Sequence, residues 1–311
     1  MRQTERQLNI KRWSLVATGL IIVGLVGSWL VGIGNSGHIT LDETIDVTDV
    51  SHVEVTTIAG RIEVMPIESS EARVISSGVP EDARLIVEVN DGMLTVETVW
   101  PRASLFNFAG FTDAFHLMNE TPTLTVYLPM QIYEQIIING TSGRIHVSDL
   151  TVNELQVNNL SGRIEVRDIE GNVTVDGTSG HIEIGHVTGD VNVQGRSGQI
   201  TVANVTGDVR VRNLSGRINL SAIGGDIEGH NTSGAISLRN ATVAQHVNLQ
   251  GTSGRIEVIL SSEPAHAQFN LSSTSGRTEI FGDRTTSARF GDGTYEVRLS
   301  TTSGRVSVSL E

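Results

Sequence analysis

At 311 residues the chain could hold one large domain or two ordinary ones. Hydrophobic residues make up 38%, aromatic residues only 4%, and there are 33 glycines, so a core must be built from Val, Ile and Leu on many short strands. There is no cysteine, which excludes a disulfide framework and any cysteine-based metal or redox centre. The formal charge is −13, and residues 1–12 carry Arg2, Arg6, Lys11 and Arg12 against Glu5. The remainder therefore holds 18 basic and 34 acidic residues, a balance that argues against nucleic acid as a partner.

Behind the basic tail (1–12), Ser14–Ile33 is an uncharged run of 20 residues, the length of a membrane-crossing helix. Trp13 and Trp29 lie toward its ends, as interface anchors do. The positive-inside rule puts the amino terminus in the cytoplasm and the rest outside. A cleaved signal peptide is the rival, but its apolar region is shorter and ends in a small-x-small site, which is missing here. The reading is a membrane anchor over 13–34 in a single-pass membrane protein.

Residues 35–130 read as an amino-terminal β part. Val53/Val55 and Ile62/Val64 alternate with polar residues, and Asn90-Asp91-Gly92 predicts a hairpin over 85–99. Segment 101–122 sustains neither a strand nor a helix period and holds Phe106, Phe108, Phe111 and Phe115. It is either a loop folded on its own small core or a partner-contact patch.

From residue 131 a phrase recurs: Ser-Gly, then Arg or a substitute, then apolar–polar–apolar. The serines fall at 142, 161, 179, 197, 215, 233, 253, 275 and 303, spaced by 18 through the centre, with a last gap of 28. An early copy, Ala59–Val64, lacks the serine. Glycines also recur every nine residues from 162 to 234, and Gly-Asp-Val-x-Val units alternate with the Ser-Gly units. The expected fold is therefore all-β: a single-stranded parallel β-solenoid over 131–311, with 18-residue coils of two short strands, stacked about 4.8 Å apart. Right-handed crossovers are the rule for parallel strands. Ile169, Val187, Val205 and Ile223 should line an inner corner. Two residues before each serine stand Gly140, Asn159, Gly177, Gly195, Asn213, Asn231 and Gly251, a restriction that predicts a left-handed backbone at all seven. The serine hydroxyls should satisfy turn backbone groups, and the outward Arg should pair with Glu two residues on, as in Arg163/Glu165, Arg255/Glu257 and Arg277/Glu279.

Signals for chemistry are weak. Asn172, Asp190, Asp208 and Asp226 form an 18-residue column, but one carboxylate per coil suits turn capping better than calcium. His181 and His186 have no third ligand for zinc, and no nucleophile elbow, phosphate loop or HExxH occurs. No cofactor, metal or catalytic residue is assigned, and a polysaccharide-cleaving β-helix enzyme is the distant alternative.

The anchor, the opening Val53–Val64 and the stretch Leu128–Val147 resemble, in this order, the bacterial putative-adhesin β-strand-repeat family of unknown function, which includes LiaG-like envelope proteins. The resemblance implies a non-enzymatic extracytoplasmic β-solenoid. Its expected partners, beyond the membrane, are an envelope polymer or a membrane signalling protein, the latter in an accessory envelope-stress role.

Overall fold

The computed structural model describes residues 38–99 and 121–311. The proposed anchor and Phe106, Phe108, Phe111 and Phe115 lie outside the described residues. Among the described residues every regular element is a strand, and no helix is long and apolar enough to cross a membrane.

The elements are β1 (His38–Asp46), β2 (His52–Ile67), β3 (Glu71–Pro80), β4 (Arg84–Asn90), β5 (Met93–Val99), β6 (Thr123–Pro129) and β7 (Ile132–Val187). They continue as β8 (Val191–Val205), β9 (Val209–Ile223), β10 (Ile227–Asn240), β11 (Val247–Leu260), β12 (Ala267–Ile280), β13 (Ser287–Phe290) and β14 (Tyr295–Leu310). The 18-residue period sets the register of the central coils, as Ser179 pairs with Ser197 and Ser197 with Ser215 in parallel strands. The strands are longer than the four or five residues expected. Val191–Val205 is one 15-residue strand that carries the Ser-Gly phrase in its middle. Gly198, at φ +125°, bends the strand there without interrupting the ladder, so each coil has two arms of one bent strand.

That glycine cannot be replaced by any other residue. A Cβ on Gly198 would sit 1.9 Å from the carbonyl oxygen of Gly180 one coil below, and a Cβ on Gly180 would sit 1.8 Å from that of Gly162. The obstruction is backbone, so no side-chain rearrangement relieves it.

The apolar positions on either side of the bend point inward. Ile182, Ile184, Val191, Val193, Ile200 and Val202 are all buried, and Ile169, Val187, Val205 and Ile223 line the corner as expected. The hairpin β4–β5 forms with Asp91 at φ +49° and Gly92 at φ +76°, the two left-handed residues that a tight hairpin turn needs.

Three expectations are corrected. First, Gly140, Asn159, Gly177, Gly195, Asn213, Asn231 and Gly251 do not have positive φ. Their restriction is one of space and hydrogen bonding inside the coil. A Cβ on Gly195 would meet Asn213 Oδ1 at 2.8 Å and Ile200 Cδ1 at 2.9 Å. Where Asn is present it is buried and its amide donates to a bend carbonyl, as from Asn231 Nδ2 to Gly216 O at 3.0 Å. The left-handed residues stand elsewhere: Asp149, Asp168, His186, Asn204 and Ala222, at φ between 51° and 60°, each just before a buried corner aliphatic. Second, the serine column is not a general turn staple. Among the described residues, only Ser142 of these serines donates through its hydroxyl, to Ile58 O at 3.4 Å. Third, the coils at both ends do not stack in chain order. β14 pairs with β11 on one side and β12 on the other, so the last coil lies between the two that precede it. At the opposite end β2 lies between β7 and a coil made of β5 and β6, and Gly60 is in register with Gly143. Within the amino-terminal β part, β2, β5 and β6 therefore continue the same parallel array.

Antiparallel strands close both ends, with β3 and β1 beyond β6 and β13 beyond β12. β1 carries Asp42, Glu43 and Asp46 and β13 is four residues long, two devices that discourage edge-to-edge pairing. Near the first complete coil, buried Tyr133 donates its phenol to Pro129 O at 3.1 Å. Burial pushes its pKa up to about 12, a hydrogen bond with Gln131 opposing.

Two predictions concern this scaffold. Gly198→Ala should lower the unfolding free energy by at least about 4 kcal/mol, whereas Ala222→Asn, at an exposed left-handed position, should raise it by about 0.5–1 kcal/mol. Urea titrations check both, and a tolerated Gly198→Ala would refute the glycine contact. For Tyr133, a phenol whose folded pKa is raised contributes stability that is complete below about pH 10 and lost as pH rises toward 12. Melting temperatures from pH 9 to 12 should fall more steeply for the wild type than for Tyr133→Phe.

Candidate binding surface

Alternation along a strand turns every second side chain outward. In the arm after each bend, the outward positions are the second, fourth and sixth after the serine. In stacking order the first of these columns is Arg61, Arg144, Arg163, His181, Gln199, Arg217, Ala235, Arg255, Arg305 and Arg277. The inward columns beside it hold aliphatic residues almost throughout. One fixed interior thus carries an outer surface whose chemistry varies from coil to coil.

The expected Arg–Glu pairs are replaced by a different set. Glu165 is taken by Arg167, not Arg163, with Nε 2.8 Å from Oε1, and Arg167 also reaches Glu183 on the next coil. His146 and His181 approach the same two carboxylates, at 3.9 and 3.6 Å. The hydrogen bond from Arg167 holds the Glu165 carboxyl below its usual pKa, outweighing the opposing effect of burial. Arg61 does pair with Glu63, at 3.2 Å. Arg144, Arg163, Arg217, Arg255, Arg305 and Arg277 make no salt bridge among the described residues.

A second surface runs along the left-handed corner. It is an open groove of about 870 Å³ with Asp149, Asp168, His186 and Asn204 on one lip and Thr151, Glu170, Thr188 and Thr206 on the other. Its floor is the row Leu150, Ile169, Val187, Val205 and Ile223. His186 Nδ1 lies 3.6 Å from Asp168 Oδ1, and its Nε2 is 3.2 Å from Asn204 Nδ2. The groove is thus apolar at its floor and polar at its lips, and among the described residues no three His, Asp or Glu side chains group as metal ligands. His181 faces the Glu183 side and His186 the corner, so the two do not converge.

The aspartate column works between coils. Asn172 Oδ1 accepts from Asp190 N at 2.9 Å, Asp190 Oδ1 from Asp208 N at 2.8 Å, and Asp208 Oδ1 from Asp226 N at 2.8 Å. Each side chain satisfies the backbone of its neighbour, not of its own turn. In the column two before the serines the asparagines are buried and the glycines partly exposed, along a groove that Leu160 and Leu214 also line. Sequence reasoning missed Leu160 and Leu214, 58% and 56% exposed at the position just before the serine. Their signal was available, since that column otherwise holds mostly Thr in the coils that carry the Ser-Gly phrase.

The model of one protein family, Toastrack DUF4097, matches residues 50–309. The chain belongs to this family. The match begins before β2 and ends within β14, so the Toastrack unit takes in both interleaved ends. No curated protein matches the sequence. Among solved structures, the Toastrack chain is similar to a putative lipid binding protein from Parabacteroides distasonis at 11% identity, covering 89% of this chain and 98% of that one with a TM-score of 0.34. It is similar to a putative adhesin from Bacteroides fragilis at 14% identity, covering 87% and 97% with a TM-score of 0.31. A putative cell adhesion protein from Clostridium sporogenes is 9% identical over 88% and 100%, with a TM-score of 0.26. These superpositions are loose, and membership rests on the sequence match.

The Glu165 cluster gives a pH prediction. A carboxylate with a depressed folded pKa contributes stability that is present above its unfolded value, near 4.5, and lost as pH falls below it. The pair is half-buried, so the effect is about 0.3–1 kcal/mol. Between pH 5 and 3 the wild type should lose that much more stability than Glu165→Gln, as read by denaturant titration at each pH.

Proposed function

We propose that this Toastrack protein is a membrane-anchored, extracytoplasmic solenoid that binds or scaffolds at the bacterial cell envelope through its outer faces, without catalysis. The observation that carries the reading is the contrast between inward and outward columns. Inward positions repeat one aliphatic chemistry, whereas the outward column runs through Arg, His, Gln and Ala on the same backbone. A rigid array that keeps its shape while varying its surface suits recognition of an extended partner. The uncharged run Ser14–Ile33 behind a basic tail supplies the anchor and the orientation. Relatives described as adhesion proteins agree with a role in contact.

Protease treatment of intact cells tests the reading. The solenoid should be removed from whole cells while staying in the membrane fraction beforehand. Protection in intact cells with cleavage only after lysis would overturn it. Purified protein incubated with wall polysaccharides should release no new chain ends.

A further inference from the structure

We propose that the sheet face following the Ser-Gly bends binds a linear, phosphodiester-linked polyanion lying along the solenoid axis. This deepens the envelope-contact reading and rests on it. The chain as a whole is acidic, at −13, yet this face is not. From β2 to β12 its three outward columns hold nine arginines against five carboxylates, a net +4. The compensating acid lies on another side, in Asp149, Asp168, Glu170, Asp190, Asp208 and Asp226. Net charge therefore misstates what this face attracts.

The strongest part is the run Arg255, Arg305 and Arg277 in three adjacent coils. All three are exposed, and none has a salt-bridge partner among the described residues. Like charges directly opposed on neighbouring strands, about 4.8 Å apart, oppose folding. The interleaving of β14 sharpens the site, because it places Ser307 between Glu257 and Glu279 and leaves Arg305 without a carboxylate at the next outward position of its own strand. Arg61, Arg144 and Arg163 form a second run at the other end of the face. The ten coils span on the order of 43 Å, so the matching ligand is long and repeats its charge.

The side-chain chemistry narrows the class. Every cation on the face is Arg or His, and the planar guanidinium fork matches phosphate oxygens with two parallel hydrogen bonds. Apart from its two histidines, the face has one aromatic ring, Phe281, which already packs on Phe269 and Phe290 at 6.0 and 5.6 Å. It therefore lacks the stacking platforms that read bases or sugar rings. What remains to be read is a string of phosphates on a slender backbone.

The test uses the full chain in detergent and poly(glycerol phosphate) of defined length, with binding followed by calorimetry between 50 and 300 mM salt. Saturable binding should weaken steeply with salt. The triple variant Arg255→Ala, Arg305→Ala, Arg277→Ala should raise Kd at least about tenfold and reduce the log–log salt slope by about 2. Its melting temperature should match or exceed the wild type, which separates lost contacts from lost fold. Conversely, Glu257→Gln with Glu279→Gln should tighten binding. No binding at 50 mM salt, or equal binding by the triple variant, would overturn the proposal. Equal affinity for polygalacturonate of the same charge would overturn the assigned class. In each of those cases protease accessibility on whole cells is unaffected, so the envelope reading stands or falls separately.

Discussion

The structure depends on a contact that permits no side chain at all. In each bend the glycine carbonyl of one coil occupies the space that a Cβ of the next would need, at 1.8 to 1.9 Å through the central coils. Close stacking at the bend therefore requires glycine from Gly60 through the Ser-Gly coils, and all of these but Gly276 also supply the positive φ that turns the strand. Because the bend leaves the hydrogen-bond ladder unbroken, both arms keep one register. That shared register places each aliphatic residue above its counterpart and each outward residue in a column. Core and surface both follow from the same bend.

Carbonyl groups at the bend are satisfied inside the coil, although the Oδ1 atoms of Asn159, Asn213 and Asn231 are left buried without a partner. Asn159, Asn213 and Asn231 each donate to a glycine carbonyl of the preceding coil, and Ser273 and Thr301 make similar bonds near the carboxyl end. The aspartate column does the same job at another corner. A solenoid with a narrow interior has little room to bury backbone polar groups unpaired, and these side-chain ladders spare it that cost. In the aspartate column they engage one oxygen of each side chain, Oδ1.

Much of the array could be read from the sequence. The 18-residue period, the buried aliphatic columns and the hairpin at Asp91-Gly92 all follow from spacing and alternation. The left-handed position was misplaced because a column of Gly and Asn can arise in two ways, from backbone conformation or from crowding, and composition does not distinguish them. The true left-handed column, Asp149, Asp168, His186, Asn204 and Ala222, has no glycine before Gly282, and its signal lay in Asp, His and Asn, which also suit solvated corners. The stacking order at the ends was hidden for a different reason. Every coil carries the same phrase, so Ser253 matches Ser275 and Ser303 equally well, and only the intervening chain geometry decides. Charge segregation was concealed by the total. The outward arginines were visible one by one, but their contiguity in space depends on that same order.

The interleaved last coil also turns one strand into a clasp. Among the described strands β12 has one parallel neighbour, β14. Without β14, β12 and its antiparallel partner β13 would have no parallel contact with the stack, and β11 would present an open edge. β14 is held from both sides, and it alone joins β12 and β13 to the rest of the sheet.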